Sequence, residues 1–330
     1  MLPRRLLPLT ALALGACAPR PARLPPIEES AVRYEVWTTQ PFRQRLPSTP
    51  ADLVIHYGAE NHGSLETCGC PRRPRGALAS WVGYANAADG AAPAPSVRVH
   101  AGYWLADAVD YAGQPRPDAA EMDRWAMVGM GAAGFDALNV TAHDVAGLVA
   151  VPPNPALPLV SAHIEGPGVQ RWVVVERGGQ RVGITGISGP APSMADTSAY
   201  TMHPVSSAAP VLEELAGKVD VLVLLAWNAN DEVRKLIKRV PLIDVVIDAG
   251  LYTDAMPAVL SGSTLWAFAE YQLVRAGELR LDLEAGRVVG AHDRHIDLDE
   301  AVPQAKELAR IQREARAAID AWQAEAYGGR

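Results

Sequence analysis

From about Arg33 onward, apolar β-branched runs alternate with helical stretches, and this alternation restricts the fold more than any other feature of the chain. "ADLVIHYG" reads as a buried strand, "ALASWVGYANAA" as a helix, "SVRVHAG" as a strand, "DAAEMDRWAMVGMGAAG" as a helix and "FDALNV" as a strand. After a proline-rich loop around "VPPNPALP" come the strand "LVSAHI" and the hairpin "RWVVVERGGQRVGITGI", with Gly178-Gly179 supplying the turn. Next come the helix "SSAAPVLEELAGK", the strand "VDVLVLLAW", the helix "ANDEVRKLIKRV" and the strand "LIDVVIDAG". "YQLVRAGELRLDLEAGRVVGAHDRHI" reads as a β-meander, followed by a long terminal helix from about Leu298 to Ala326 with one packed and one solvated side. Alternating strands and helices build parallel sheets, and the hairpins add antiparallel strands, so the expected class is an α/β sandwich with mixed sheets. Sites in such folds gather in the loops that leave the carboxyl ends of the strands. The sequence has no internal repeat, phosphate-cradling glycine loop or nucleophile elbow.

A chain of 330 residues can bury a full core. Its 30 Lys and Arg against 37 Asp and Glu leave a net charge of -7, which repels a phosphate backbone, so nucleic acid is not an expected partner. At the N-terminus, Arg4 and Arg5 precede "LLPLTALALGA", an apolar run too short to span a bilayer, and the pattern reads as an export signal. It ends in Leu14-Gly15-Ala16-Cys17, which resembles a bacterial lipobox and implies cleavage before Cys17 and lipidation of its thiol. The expected division is a signal peptide over 1–16, a Pro-rich tether over 17–33, a main domain over 34–297 and a C-terminal helix and tail over 298–330. The expected location is the cell envelope, on the periplasmic side or at the outer membrane. The lipid anchor makes the membrane one partner, and another exported protein is the remaining candidate.

The strand ends "VIHYGAENHGSLE", "GFDALNVTAHDVAGL", "PLVSAHI", "QRVGITGIS", "VDVLVLLAW" and "IDVVIDAGL" resemble, in order and spacing, the calcineurin-like metallophosphoesterases, specifically the 5'-nucleotidase-type catalytic domain. The resemblance covers roughly residues 50 to 295 and implies a four-layer α/β/β/α sandwich. It also implies two metal ions sharing a bridging carboxylate, which together activate water and stabilise the departing oxygen. The family's nucleotide-gripping second domain is not expected here, since few residues follow the meander.

At most metal-binding positions the chain departs from the family. The first motif becomes Glu60-Asn61-His62-Gly63, with Glu in place of Asp, and Tyr103 takes the place of the bridging Asp. The third becomes Thr141-Ala142-His143-Asp144, with Ala142 in place of a metal-binding Asn. Trp227 takes the place of the fourth motif's His, and Gly250-Leu251-Tyr252-Thr253 replaces the two histidines of the fifth. Glu60, His62, His143 and Asp144 remain, with His163 or His56 as further neighbours. Two readings stay open: a noncatalytic binding or redox accessory, in effect a pseudoenzyme, or a metal-dependent phosphoric ester hydrolase with an altered or mononuclear site. In the second, Glu60 and His62 hold metal, His143 meets the leaving oxygen and Asp144 orients His143.

"ETCGCPRRPRGALASW" resembles the Cys-Gly-Cys variant of some exported members of this superfamily. Cys68 and Cys70 can be a thiolate site for a soft metal with His62, an easily reduced redox pair, or a local disulfide clip, and the cofactor is correspondingly a divalent metal, a thiolate-bound soft metal or none. His292, Asp293 and His295 read as a solvated strand end. Trp104, Trp125, Trp172, Trp227 and Trp266 read as core, and Asp244 as the polar start of its strand.

Overall fold

Runs without a polar face need cover on both sides, and the observed layers supply it. The structure, a computed structural model, describes residues 25–66, 74–110, 112–190 and 197–327; Cys17, Cys68 and Cys70 lie outside these residues. In chain order its first elements are β1 (Val32–Trp37), β2 (Leu53–Gly58), α1 (Leu78–Ala91), β3 (Ser96–His100), α2 (Ala119–Ala133), β4 (Ala137–Asn139) and α3 (Asp144–Ala150). There follow β5 (Leu159–Val160), β6 (Ile164–Glu165), β7 (Val173–Arg177), β8 (Gln180–Ser188), β9 (Thr201–Met202), α4 (Ala208–Ala216), β10 (Val221–Trp227) and α5 (Asn230–Arg239). The last are β11 (Val245–Tyr252), β12 (Val259–Ser261), β13 (Thr264–Glu270), β14 (Arg275–Glu284), β15 (Arg287–Asp297) and α6 (Lys306–Tyr327).

One sheet has the order β1-β15-β14-β2-β3-β4-β5 and the other β12-β13-β11-β10-β8-β7, while β6 and β9 form a separate pair. Ile55, Val97 and Val99 of the first sheet meet Val223, Leu225 and Ile247 of the second, forming the central core. Trp81, Met130, Leu308 and Ile311 of α1, α2 and α6 cover the outer face of the first sheet, and Leu212, Leu215, Val233 and Leu236 of α4 and α5 cover that of the second. The result is the expected α/β/β/α sandwich. Asn139 joins the sheets by donating to the carbonyls of Ala101 and Ile187 at 2.8 and 2.9 Å. Gly186 makes room for it, since a Cβ there would lie 2.0 Å from the Asn139 carbonyl oxygen.

Four local expectations need correction. "LVSAHI" is not one strand: β5 and β6 are separated by Ser161-Ala162-His163, and β6 leaves the main sheet to pair with β9. The terminal helix begins at Lys306 rather than near Leu298, and Leu308, Ile311 and Ala315 form its packed side. The stretch read as tether up to residue 33 enters β1 at Val32. Because β1 pairs in parallel along β15, it covers what would otherwise be an open edge. His292, Asp293 and His295 are consequently buried rather than solvated.

His295 lies inside a closed polar network. Its Nδ1 is 2.8 Å from Glu270 and its Nε2 3.2 Å from Asp293, while the Tyr57 hydroxyl donates to Asp293 at 2.7 Å. Arg275 reaches both Glu270 and Asp297, and Arg75 reaches Asp297. On the opposite face of the sheet, Arg280 and Arg294 each meet Glu278 at 3.0 Å under α1, and the Tyr84 hydroxyl also donates to Glu278. Trp104, Trp227 and Trp266 are core, as expected, and Trp125 and Trp172 pack at its margins.

Candidate functional site

Parallel strands deliver their carboxyl ends to one pole, where the loops after β2, β3, β4, β10, β11 and β13 line a cleft. One chamber, of about 350 Å³, is walled by His62, Tyr103, Asp107, His143, Trp227, Thr253 and Tyr271. A more polar chamber, of about 520 Å³, shares His62, Tyr103, Asp107 and Tyr271 and adds Asn61, Asp110, Arg116 and Gln272 among its walls.

Tyr103 is the centre of the aromatic wall. Its ring stacks on His62 with centroids 3.8 Å apart and lies 4.2 Å from His143 on a 30° tilt. Trp227 meets Tyr103 and His143 edge-on at 5.2 and 4.8 Å, and Tyr271 meets His62 edge-on at 5.0 Å. The Tyr103 hydroxyl donates to Asp107 at 2.5 Å, and His143 Nδ1 lies 3.7 Å from the same carboxylate. Burial, reinforced by the Asp107 hydrogen bond, pushes the Tyr103 phenol far above its ordinary range, so the hydroxyl stays neutral. Burial also acts to raise Asp107, but His143 and the Tyr103 hydroxyl outweigh it and hold the carboxyl below its usual range. His62 is pushed down to about 4, chiefly by burial, and is uncharged at neutral pH.

The backbone that aims these groups is strained. Glu60, His62, Tyr103 and Asn228 all adopt left-handed φ, at 63°, 50°, 58° and 46°. For residues with a Cβ this costs on the order of 1 kcal/mol each, and such strain persists where the surroundings impose it. Asp144 imposes it at Tyr103. One carboxylate oxygen accepts the N–H groups of Trp104 and Leu105, both at 2.9 Å. The other accepts the Thr141 N–H at 2.9 Å, the Thr141 hydroxyl at 2.7 Å and the Tyr103 N–H at 3.2 Å. Burial acts to raise the pKa of Asp144 while these donors oppose the rise.

The expected ligands are therefore only partly brought together. His62 and His143 reach the cleft, on opposite faces of Tyr103. Glu60 is fully buried and accepts the Trp227 indole N–H at 2.7 Å. Asp144 does not orient His143, because both its oxygens are engaged by the 103–105 and 141 backbone; the carboxylate beside His143 is Asp107. His163 accepts the Ser188 N–H at 2.9 Å on Nε2, and its Nδ1 meets the His203 carbonyl at 2.9 Å, so neither nitrogen is spare. His56 lies on the helix side of β2, paired with Asp89. Among the described residues, no three His, Cys, Asp or Glu side chains are placed to share an ion, and the donor set does not fit the dinuclear centre that the fold implies.

Asp107, Tyr271 and Asn61 are the contributors that sequence reasoning missed. Asn61 accepts from His100 at 2.7 Å, and burial pushes His100 down to about 3. A signal for Asp107 did exist, because it is the first acidic residue after the buried 101–106 run.

No family model matches this chain, nor does any curated protein. Solved structures do match. Sulfate thiohydrolase SoxB of Thermus thermophilus, in complex with glycerol, superposes with a TM-score of 0.65 at 13% identity over 83% of this chain and 61% of that one. A 5'-nucleotidase precursor of Thermus thermophilus has a TM-score of 0.59 at 18% identity over 82% and 59%. The calcineurin-like phosphoesterase YfkN of Bacillus subtilis has a TM-score of 0.59 at 15% identity over 82% and 98%. The chain thus spans about three-fifths of the first two proteins. At these identities the likeness concerns the fold, which is of the metallophosphoesterase type.

Proposed function

We propose that this chain is an exported, lipid-anchored accessory in which a metallophosphoesterase fold holds a ligand at its strand ends and does not hydrolyse phosphate esters. The observation that carries this reading is the Tyr103 ring packed between His62 and His143. In the family resemblance, position 103 belongs to the carboxylate shared by two ions. A neutral phenol hydrogen-bonded to Asp107 supplies no bridging charge. Glu60, the nearest surviving carboxylate of the first motif, accepts from Trp227. What the aromatic chamber offers is a ring-lined surface with the Asp107 carboxylate, which is the composition of a binding pocket.

The direct test is hydrolysis of bis(p-nitrophenyl) phosphate by the purified chain, with manganese, zinc or magnesium supplied in turn. We expect rates equal to the metal-only blank. Metal-dependent turnover that disappears in His143→Ala would instead establish the altered hydrolase, the second reading, which is favoured by the convergence of His62 and His143 on one cleft.

Anchoring is tested separately at Cys17. Among the described residues no helix is long and apolar enough to cross a membrane, so attachment in this reading depends on the lipidated thiol. The chain is expected to take up labelled fatty acid in the producing bacterium, and Cys17→Ser is expected to abolish the uptake. Uptake of the label by the Cys17→Ser chain, or none by the parent, would remove the lipoprotein assignment.

A further inference from the structure

We propose that the aromatic chamber takes a small organic ammonium ion. The inference rests on the binding reading above and adds to it the charge of the ligand. His62, Tyr103, His143, Trp227 and Tyr271 supply five rings to the wall, Asp107 supplies a carboxylate, and among the described residues no Lys or Arg lines this chamber. The Asp107 side chain is 36% exposed, so its charge is accessible from the cleft. The Tyr103 hydroxyl occupies part of the carboxylate without neutralising it.

Such a wall attracts a cation in two ways. Both faces of Tyr103 are taken by His62 and His143, so the π attraction falls to Trp227 and Tyr271, about 0.5–1 kcal/mol at a partly exposed site, and the Asp107 carboxylate adds a Coulomb attraction. A phosphate ester meets the reverse arrangement. Asp107 repels it, and Arg116, which lines the neighbouring chamber and not this one, is held by Asp118 at 3.1 Å. The chain's net charge of -7 acts with the same sign at longer range.

The test is a titration of the full chain with choline at low ionic strength, followed by tryptophan fluorescence and calorimetry. Expected is saturable binding, about tenfold weaker for the uncharged tert-butyl isostere of choline and about tenfold weaker in Asp107→Asn with an unchanged unfolding midpoint. Tyr271→Leu, which leaves the Tyr103 stack in place, is expected to weaken choline binding as well. Equal binding of the isostere would overturn the charge assignment while leaving the pocket a binding site. Tighter binding of phenyl phosphate than of choline would overturn it in favour of an anionic ligand, and no saturable choline binding would overturn it outright. Phosphate-ester hydrolysis is read in its own assay, so failure of the noncatalytic reading is distinguishable from failure of this one.

Discussion

The unfolding free energy of this protein is expected to fall as pH rises from about 7 to about 10, by up to about 1.4 kcal/mol per pH unit, and the fall is expected to vanish in His295→Gln. Burial alone would lower the pKa of His295, but the flanking carboxylates of Asp293 and Glu270 overcome it and push the imidazole up to about 10. In the unfolded chain the same group titrates near the ordinary histidine value of about 6.5. Its contribution is therefore complete below about 6.5 and is lost as pH climbs through about 10, a total on the order of 5 kcal/mol. The groups facing it do not blur this window. Burial moves Tyr34 to about 12 and Tyr57 well above its ordinary value, and Arg275 stays charged. Asp123 and Asp248, raised by burial to about 7, act mainly at lower pH. At pH 7, His295→Gln leaves Asp293 and Glu270 buried without their shared cation, which costs about 3–5 kcal/mol. Urea denaturation of both proteins across the pH series measures slope and offset together. A wild-type slope that survives in the variant would show that another group is responsible.

Asp144→Asn is expected to destabilise the fold by about 3–5 kcal/mol, a loss that calorimetry or urea denaturation would register. Five donors converge on this carboxylate, and the amide nitrogen of Asn would point a donor at donors. The variant also replaces one of the two acceptor oxygens that hold Tyr103 in its left-handed conformation. Asp107→Asn is the matched comparison, since the amide can still present an oxygen to the Tyr103 hydroxyl from a partly exposed position, and a change of less than about 1 kcal/mol is expected. Equal stability of Asp144→Asn and the parent would show that this set of hydrogen bonds does not hold the fold at this position.

The layers are legible in the sequence because runs such as β2, β10 and β11 have no side that tolerates water, and the helices between them supply the cover. Strand-end logic likewise sends Glu60, His62 and His143 to one pole. What stays hidden depends on contacts without a local signature. The Trp227 that occupies Glu60 lies 167 positions away in sequence, and no spacing rule connects them. Asp107 is only four residues beyond Tyr103, yet the left-handed turn at Tyr103 has to form before hydroxyl and carboxylate can meet. His295 is misjudged for a different reason. The meander alone does not show that β1 will pair along β15 and lay Tyr34 against His295 at 5.5 Å, and β1, with Arg33 exposed and its other residues partly exposed, gives little sign of taking that place.

The direction of β1 also has a consequence for how the molecule is presented. β1 runs parallel to β15, and β15 and β2 are each antiparallel to β14, so β1 and β2 point the same way. The cleft therefore lies at the far end of β1, and Ile27, just upstream, is already buried in the central core. The first described residues thus enter the fold at the end opposite the cleft. Solutes therefore reach the cleft without passing the end at which the described chain enters the fold.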